Sequence, residues 1–141
     1  MKIVVIDGQG GRMGSLFIER WKKENAVALH DKKTDVMIMA VGTNSLATAA
    51  MLKAGADAAA TGENPVKVNV ADAEYIVGPI GILAADALHG EITAKMAKAV
   101  AKCAGEKILI PANTKCFQIV GVGNYTMNEL IDQAVERVKI R

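Results

Sequence analysis

The residues best suited to chemistry in this sequence form a glycine-rich segment near its start, Asp7-Gly8-Gln9-Gly10-Gly11-Arg12-Met13-Gly14. The segment follows the β-branched run Ile3–Ile6, a predicted buried strand, and opens a predicted amphipathic helix from about Arg12 to Glu24. Glycine permits close approach of the backbone to a ligand, and a helix N-terminus offers unpaired N–H groups to a phosphate. We therefore predict that a phosphate-bearing nucleotide is bound by Gly8, Gln9, Gly10, Gly11, Arg12, Met13 and Gly14.

The spacing of the glycines departs from the usual dinucleotide-binding pattern. The frame G-x-G-x-x-G would end on Met13, whereas Gly8-x-x-Gly11-x-x-Gly14 fits. The segment is not a P-loop, because no Gly-Lys-Ser/Thr follows it. A tight turn that binds nothing is the alternative. The position directly between a strand and a helix favours binding.

The end of the second predicted strand, Val36–Val41, bears on the choice of ligand. An acidic residue at this point commonly binds the ribose of NAD, but here Thr43, Asn44 and Ser45 follow Gly42. Uncharged donors in place of an acid favour NADP over NAD, with Arg12 as a counter-charge for the 2′-phosphate. A mononucleotide or a simpler phosphorylated metabolite stays equally open. Asn44 or Ser45 can also cap the next helix, which is predicted to run to about Lys53, and both roles are compatible.

Two later loops are expected at the same crevice, because ligands of doubly wound sheets lie at the carboxyl ends of the strands. Gly78-Pro79-Ile80-Gly81 ends the strand that begins at Tyr75. Gly78 and Pro79 are candidates for the far end of the ligand, or form only a corner between strand and helix. The segment Pro111–Cys116 leaves the next strand, Lys107–Ile110. Three of its residues would suit an anionic group: Asn113, Thr114 and Lys115.

Catalytic residues cannot be assigned. The sequence has no Ser-His-Asp order, no paired carboxylates at a credible spacing and no metal-binding cluster, so no metal is expected. His89-Gly90-Glu91 is predicted to be a polar surface corner. Two functions are therefore open: a small NADP-dependent oxidoreductase whose substrate site a partner subunit completes, and a non-catalytic sensor or regulatory module that binds a nucleotide or phosphometabolite. A degenerate fold that serves only assembly is a third.

Predicted strands and helices alternate along all 141 residues, which indicates an α/β fold: a doubly wound, mostly parallel, Rossmann-like sheet in a single domain over residues 1–141. Residues 64–71 are ambiguous, since Asn64-Pro65 resembles a helix start while the following valines alternate as in a strand; we favour a short helix. A further strand is predicted at Ile119–Val122. Thr126 and Glu129 form a capping box that opens the last helix.

Composition excludes several classes of function. Hydrophobic residues make up 51% and charged residues 23%, which is typical of a globular chain, and a net charge of +2 is too small to predict binding to nucleic acid. No apolar run is long enough for a membrane helix, and no signal peptide is recognisable, so we expect no membrane partner and a cytoplasmic protein. We also expect a homo-oligomer, most simply a dimer, through the apolar stretch Ile82–Leu88, which is predicted to be helical.

Two resemblances follow from these segments. The turn Gly8–Gly14, with its Gly-Arg-Met-Gly, resembles the dinucleotide-binding turn of dihydrodipicolinate reductases, but only over the first two elements. The catalytic histidines and lysine of that family have no counterpart, so its activity is not expected. The whole chain is similar to a family of short bacterial proteins known only as a domain of unknown function. That resemblance implies the Rossmann-like fold and rests on five segments: Asp7–Arg12, Val41–Ser45, Gly62–Asn64, Gly78–Ile82 and Leu109–Pro111.

Overall fold

A computed structural model describes residues 1–112 and 118–141 of the chain. Strands and helices alternate along it. The strands are β1 (Lys2–Asp7), β2 (Met37–Gly42), β3 (Ala58–Thr61), β4 (Tyr75–Pro79) and β5 (Glu106–Ile110). The helices are α1 (Arg12–Glu24), α2 (Ala26–Leu29), α3 (Ser45–Lys53), α4 (Glu63–Val70), α5 (Ala94–Lys102) and α6 (Met127–Arg137), and a 3₁₀ helix spans Ile80–Leu83.

All described strands belong to one parallel sheet in the order β3-β2-β1-β4-β5. The chain first builds outward from β1 through β2 to β3, then crosses back to β4 and builds in the other direction. The order therefore reverses between β1 and β4, which pair directly through Val4 and Ile76. This is the doubly wound, Rossmann-like fold predicted from the sequence, and its ligand crevice is expected at the carboxyl ends of these two strands.

Helices cover both faces of the sheet, because each strand buries apolar side chains on both sides. On one face α1 packs against α3 and α6 around Phe17, Trp21 and Met51, all fully buried. On the other face α4 packs against α5, around Val66 and Val100. None of the helices in the described parts of the chain is long and apolar enough to cross a membrane.

Several expected elements agree closely with the structure. Helix α1 has the predicted bounds, and α3 is capped by Asn44, whose side chain accepts a hydrogen bond from the N–H of Ala47 at 2.9 Å. The capping box of Thr126 and Glu129 opens α6 as predicted. The ambiguous segment is helical, but α4 begins after Gly62, so Asn64 lies inside the helix and does not cap it.

Two predicted elements are wrong. Only the first residues of Ile82–Leu88 belong to the short 3₁₀ helix, and the rest is a series of turns. Ile82 and Leu88 are buried, so the apolar character of this stretch reflects turns packed on the sheet. Ile119–Val122 forms no strand: Val120 is fully exposed and the segment is turn and coil.

Candidate functional site

The glycine-rich turn joins β1 to α1 in a tight backbone loop. The N–H of Gly11 donates to the carbonyl of Gly8 at 2.9 Å, and Gly11 is the N-cap of α1 with φ of 70°. Only glycine adopts this left-handed conformation without strain. Gly11 itself has no side chain with which to cap α1, and the first helical residue, Arg12, is exposed. The turn therefore has the backbone shape that the sequence predicted.

Close packing within the protein explains most of the glycines in the turn. A Cβ at Gly11 would lie 2.8 Å from the Cα and carbonyl oxygen of Ala47 in α3, and one at Gly14 would lie 2.5 Å from the sulfur of Met51. A Cβ at Gly8 would lie 2.6 Å from the hydroxyl of Thr43. Gly11 and Gly14 therefore let α1 and α3 approach each other, and Gly8 lets the end of β1 approach Thr43.

Gly10 is the exception within the turn. A Cβ at Gly10 would have no described atom within 4 Å, and the residue is exposed. Its glycine is therefore not explained by contacts with the described residues, and a side chain there would project into open space. Gly10 thus borders open space, where a ligand has room to approach the turn.

The buried carboxylate of Asp7 lies beneath the turn. It accepts hydrogen bonds at 2.8 Å from the N–H of Gly8 and at 2.8 Å from the N–H of Gly14. Burial raises the pKa of Asp7 above its ordinary value; hydrogen bonds from the backbone of Gly14, Gly8 and Met13 oppose this rise, and the charge of Glu91 adds to it. Asp7 thus occupies part of the positive end of α1 that a phosphate would otherwise use.

The carboxylate of Glu91 lies above the turn, although the sequence predicted only a polar surface corner there. Its Oε2 accepts from the hydroxyl of Thr43 at 2.6 Å and from the N–H of Gln9 at 2.9 Å, and its Oε1 accepts from the side-chain amide of Asn44 at 2.8 Å. Partial burial raises the pKa of Glu91, but these hydrogen bonds outweigh it and leave the pKa below its ordinary value. The residues after β2 are therefore in contact with a carboxylate, although β2 itself does not end in an acidic residue. This carboxylate belongs to the loop that follows β4.

Backbone geometry in the loop that carries Glu91 is unusual. Asp86, Leu88 and His89 all have positive φ, of 67°, 55° and 56°. Such conformations are costly for residues other than glycine and persist only where surrounding contacts hold them. Here the side chain of Leu88 is buried, and the N–H of Asp86 donates to the carbonyl of Ile92 at 2.7 Å. The position of Glu91 is thus fixed by a constrained turn.

A cavity of about 210 Å³ adjoins the turn on the side facing β5 and α6. It is lined by Asp7, Gly8, Gln9, Gly10, Gly11, Arg12, Met13, Ala112 and Met127. The N–H groups of Gly10 and Arg12 have no acceptor among the described residues. The cavity has room for a phosphate or a sugar phosphate, and is smaller than the roughly 300–1,000 Å³ of typical pockets for larger ligands.

The other predicted site residues are distributed unevenly around this crevice. Ser45 is exposed at the start of α3, next to Asn44. Gly78 and Pro79 are buried inside β4, where a Cβ at Gly78 would lie 2.5 Å from the carbonyl oxygen of Ile6. Gly78 therefore serves contact between β4 and β1. Asn113, Thr114 and Lys115, predicted to suit an anion, lie outside the described residues, as does Cys116.

The structure thus brings Gly8, Gln9, Thr43 and Asn44 together around Glu91, the residue that the sequence did not single out. Asp7 lies in the glycine-rich segment but was not among the predicted binding residues, although an acid directly after a buried strand and before a glycine turn was a usable signal. Within residues 1–112 and 118–141 no group of three or more His, Cys, Asp or Glu side chains is placed to hold a metal ion.

Comparison with known proteins gives one match. A family model described as Domain of unknown function (DUF3842) matches residues 2–141, in agreement with the resemblance of the whole chain to such a family. No curated protein and no solved structure matches the chain.

Proposed function

We propose that this chain, which belongs to the family described as Domain of unknown function (DUF3842), binds a nucleotide or a phosphorylated metabolite across the β1–α1 turn. The description of this family gives no activity that could be proposed for the chain. The proposal therefore rests on the site, and on one observation above all: Gly10 and Arg12, whose N–H groups have no acceptor among the described residues, line a cavity at the point where the strand order reverses. Backbone N–H groups at a helix start are typical ligands of phosphate.

The charges around the cavity support an anionic group of limited size. The exposed guanidinium of Arg12 adjoins the cavity, while Asp7 already accepts hydrogen bonds from the inner N–H groups of the turn. A phosphate bound to the N–H groups of Gly10 and Arg12 gains the positive side chain of Arg12 and does not compete with Asp7 for the N–H groups that Asp7 already binds. We therefore place the phosphate at the outer half of the turn and the rest of the ligand over Gln9.

We favour a function in which the protein binds its ligand without catalysing a reaction on it. Asp7 and Glu91, the two carboxylates at the turn, each accept hydrogen bonds from the backbone or from neutral side chains of the protein. Neither has a histidine, lysine or serine as a hydrogen-bond partner among the described residues. A sensor or regulatory module fits this arrangement. A small oxidoreductase using NAD or NADP is the second candidate, and it requires a substrate site that a second subunit completes.

A ligand screen with a blocked variant tests the proposal. Wild-type protein is screened by thermal shift and native mass spectrometry with NAD, NADP, ATP, GTP, AMP and phosphosugars, beside Gly10→Glu. We expect at least one of these ligands to bind wild type and none to bind Gly10→Glu, since the new side chain enters the open space with a repelling charge. Asn64→Glu, an exposed change of the same charge on α4, should bind as wild type does. Equal binding to Gly10→Glu would contradict the site.

A further inference from the structure

We infer that Glu91 is the residue that recognises the ribose of the ligand and selects against a 2′-phosphate, an inference that rests on the proposed nucleotide binding. In most dinucleotide-binding sheets an acid at the end of the second strand accepts hydrogen bonds from the ribose hydroxyls. In this chain the residues at that position are Thr43 and Asn44, which carry no charge. Glu91 reaches them from the loop after β4.

The contacts of Glu91 place its carboxylate at the point where a ribose would lie. Gln9 lines the phosphate cavity with its neighbours in the turn, and its N–H donates to Oε2 of Glu91 at 2.9 Å. Gln9 therefore both lines the cavity and contacts the carboxylate of Glu91. A nucleotide with its phosphate against Gly10 and Arg12 has its ribose next to Gln9, within reach of Glu91.

The chemistry of Glu91 suits a diol and opposes a phosphate. Its oxygens accept from the hydroxyl of Thr43 and the amide of Asn44, both neutral donors that a ribose hydroxyl can replace. A 2′-phosphate would bring at least one further negative charge against the carboxylate, with no described cation in contact with it. The inference therefore predicts a ligand without the 2′-phosphate, the opposite of the preference for NADP that follows from the uncharged residues after β2.

The constrained loop keeps Glu91 in place for this role. The buried side chain of Leu88 and the left-handed turn at His89 and Gly90 set the position from which Glu91 extends. A Cβ at Gly8 would collide with Glu91 as well as with Thr43 and Leu88, so the carboxylate packs directly on the backbone of the turn. Glu91 is thus held in a fixed position against the turn.

Isothermal titration with three small probes tests the inference: AMP, 2′-deoxy-AMP and adenosine 2′,5′-bisphosphate. Wild type should bind AMP roughly tenfold more tightly than 2′-deoxy-AMP, the effect of one hydrogen bond to a charged group, and the bisphosphate more weakly still. In Glu91→Gln the difference between AMP and 2′-deoxy-AMP should shrink to about twofold, and the bisphosphate should gain affinity. Glu136→Gln, an exposed change of the same kind at the far end of α6, should leave all three affinities unchanged.

The outcomes separate this inference from the proposed function. If the probes bind wild type but Glu91→Gln keeps the same affinity ratios, the inference is wrong and nucleotide binding stands. If Glu91→Gln tightens all three probes equally, Glu91 competes with the ligand and does not recognise the ribose, which also overturns the inference. If no probe and no ligand of the wider screen binds wild type, both fail together. Circular dichroism and unfolding midpoints establish that each variant is folded.

Discussion

The carboxylate of Asp7 accepts a hydrogen bond from the N–H of Gly14 at 2.8 Å, so the last residue of β1 is tied to the first turn of α1. The same carboxylate accepts from the N–H of Gly8, and only its side chain among the described polar and charged residues is classed as buried. The backbone of the turn thus encloses the carboxylate of Asp7 and binds it through these two N–H groups. This arrangement has a consequence for stability that can be measured.

We predict that the contribution of Asp7 to the free energy of unfolding falls as pH rises. Because its pKa is raised in the folded state, the native protein binds more protons than the unfolded chain between pH 3.8 and the folded pKa, and stability declines across that window. Urea unfolding of wild type and Asp7→Asn from pH 4 to 7 checks this. The difference in free energy of unfolding, wild type minus variant, should decrease with pH; an advantage of wild type that grows with pH would contradict the prediction.

The glycines of the turn should differ sharply in their tolerance of a methyl group. Gly11→Ala places a Cβ 2.8 Å from Ala47 and forces alanine to a φ of 70°, so we expect a loss of about 1–3 kcal/mol in the free energy of unfolding. Gly14→Ala should also destabilise, since its Cβ approaches Met51 and Asp7. Gly10→Ala has no such contact and should change stability by less than about 0.5 kcal/mol. Chemical denaturation of the three variants gives the comparison.

A result in which Gly10→Ala costs as much as Gly11→Ala would mean that the outer turn is packed and not available to a ligand. The comparison also shows why a bulky residue at Gly11 or Gly14 is a poor test of binding. Either change disturbs the contact between α1 and α3, so a loss of binding there would not identify the site.

We predict that Asn44→Asp weakens the attachment of the Glu91 loop. Asparagine at this position donates to Glu91 at 2.8 Å and to the carbonyl of Gln9 at 2.9 Å, while its side-chain oxygen caps α3. Aspartate can keep the cap but sets a negative charge against Glu91. We expect the melting temperature at pH 7 to fall by a few degrees, and by less when Glu91→Gln is also present. Thermal unfolding of the two single variants and the double variant measures this coupling.

An additive double variant would mean that Asn44 and Glu91 do not interact in solution. Asn44→Ser serves as the control, because serine keeps a capping oxygen and adds no charge. Its effect on the loop should be smaller than that of aspartate at pH 7, where both carboxylates are ionised.

The sequence was sufficient to predict the fold, and it also indicated two segments that the structure brings together, the glycine-rich turn and the residues after β2. The bounds of α1 could be predicted because its apolar residues repeat with a helical period, and the parallel sheet followed from the alternation of buried strands with helices. Ile82–Leu88 was mistaken for a helix because its apolar residues are buried by turns, a pattern that periodicity does not distinguish. Val120 and its neighbours were mistaken for a strand because β-branched residues favour strands, although this segment lies exposed.

Glu91 could not have been found from sequence patterns. It contacts Thr43, 48 positions earlier in the chain, and the contact depends on three non-glycine residues with positive φ before it. Nothing in the residue types of Leu88 or His89 indicates that conformation. An acid was therefore expected only at the end of β2 itself, while the carboxylate that contacts Thr43 and Asn44 comes from another loop.

The homo-oligomer expected from the sequence stays a prediction, but the exposed hydrophobic residues of the structure indicate a different candidate interface. Within Ile82–Leu88, Leu83 is the one large hydrophobic residue classed as exposed, at 37%. A larger apolar surface is formed by Val120, Val122 and Tyr125, which are 99%, 45% and 52% exposed. They belong to the segment between β5 and α6, where Val122 and Tyr125 line a cleft of about 360 Å³ together with Ile108 and Leu130. Exposed apolar groups of this kind are typical of interfaces.

We predict that the protein is a dimer in solution and that Val120 contributes to its interface. Sedimentation velocity at micromolar concentration should give a mass near twice the 14.9 kDa of the chain. Val120→Lys should shift the mass toward the monomer, because burying an unpaired ammonium at an interface is costly. Leu46→Lys on α3, where leucine is 74% exposed, is the matched control and should remain dimeric. A monomeric wild type would remove the oxidoreductase with a shared substrate site and leave the single-chain binding module.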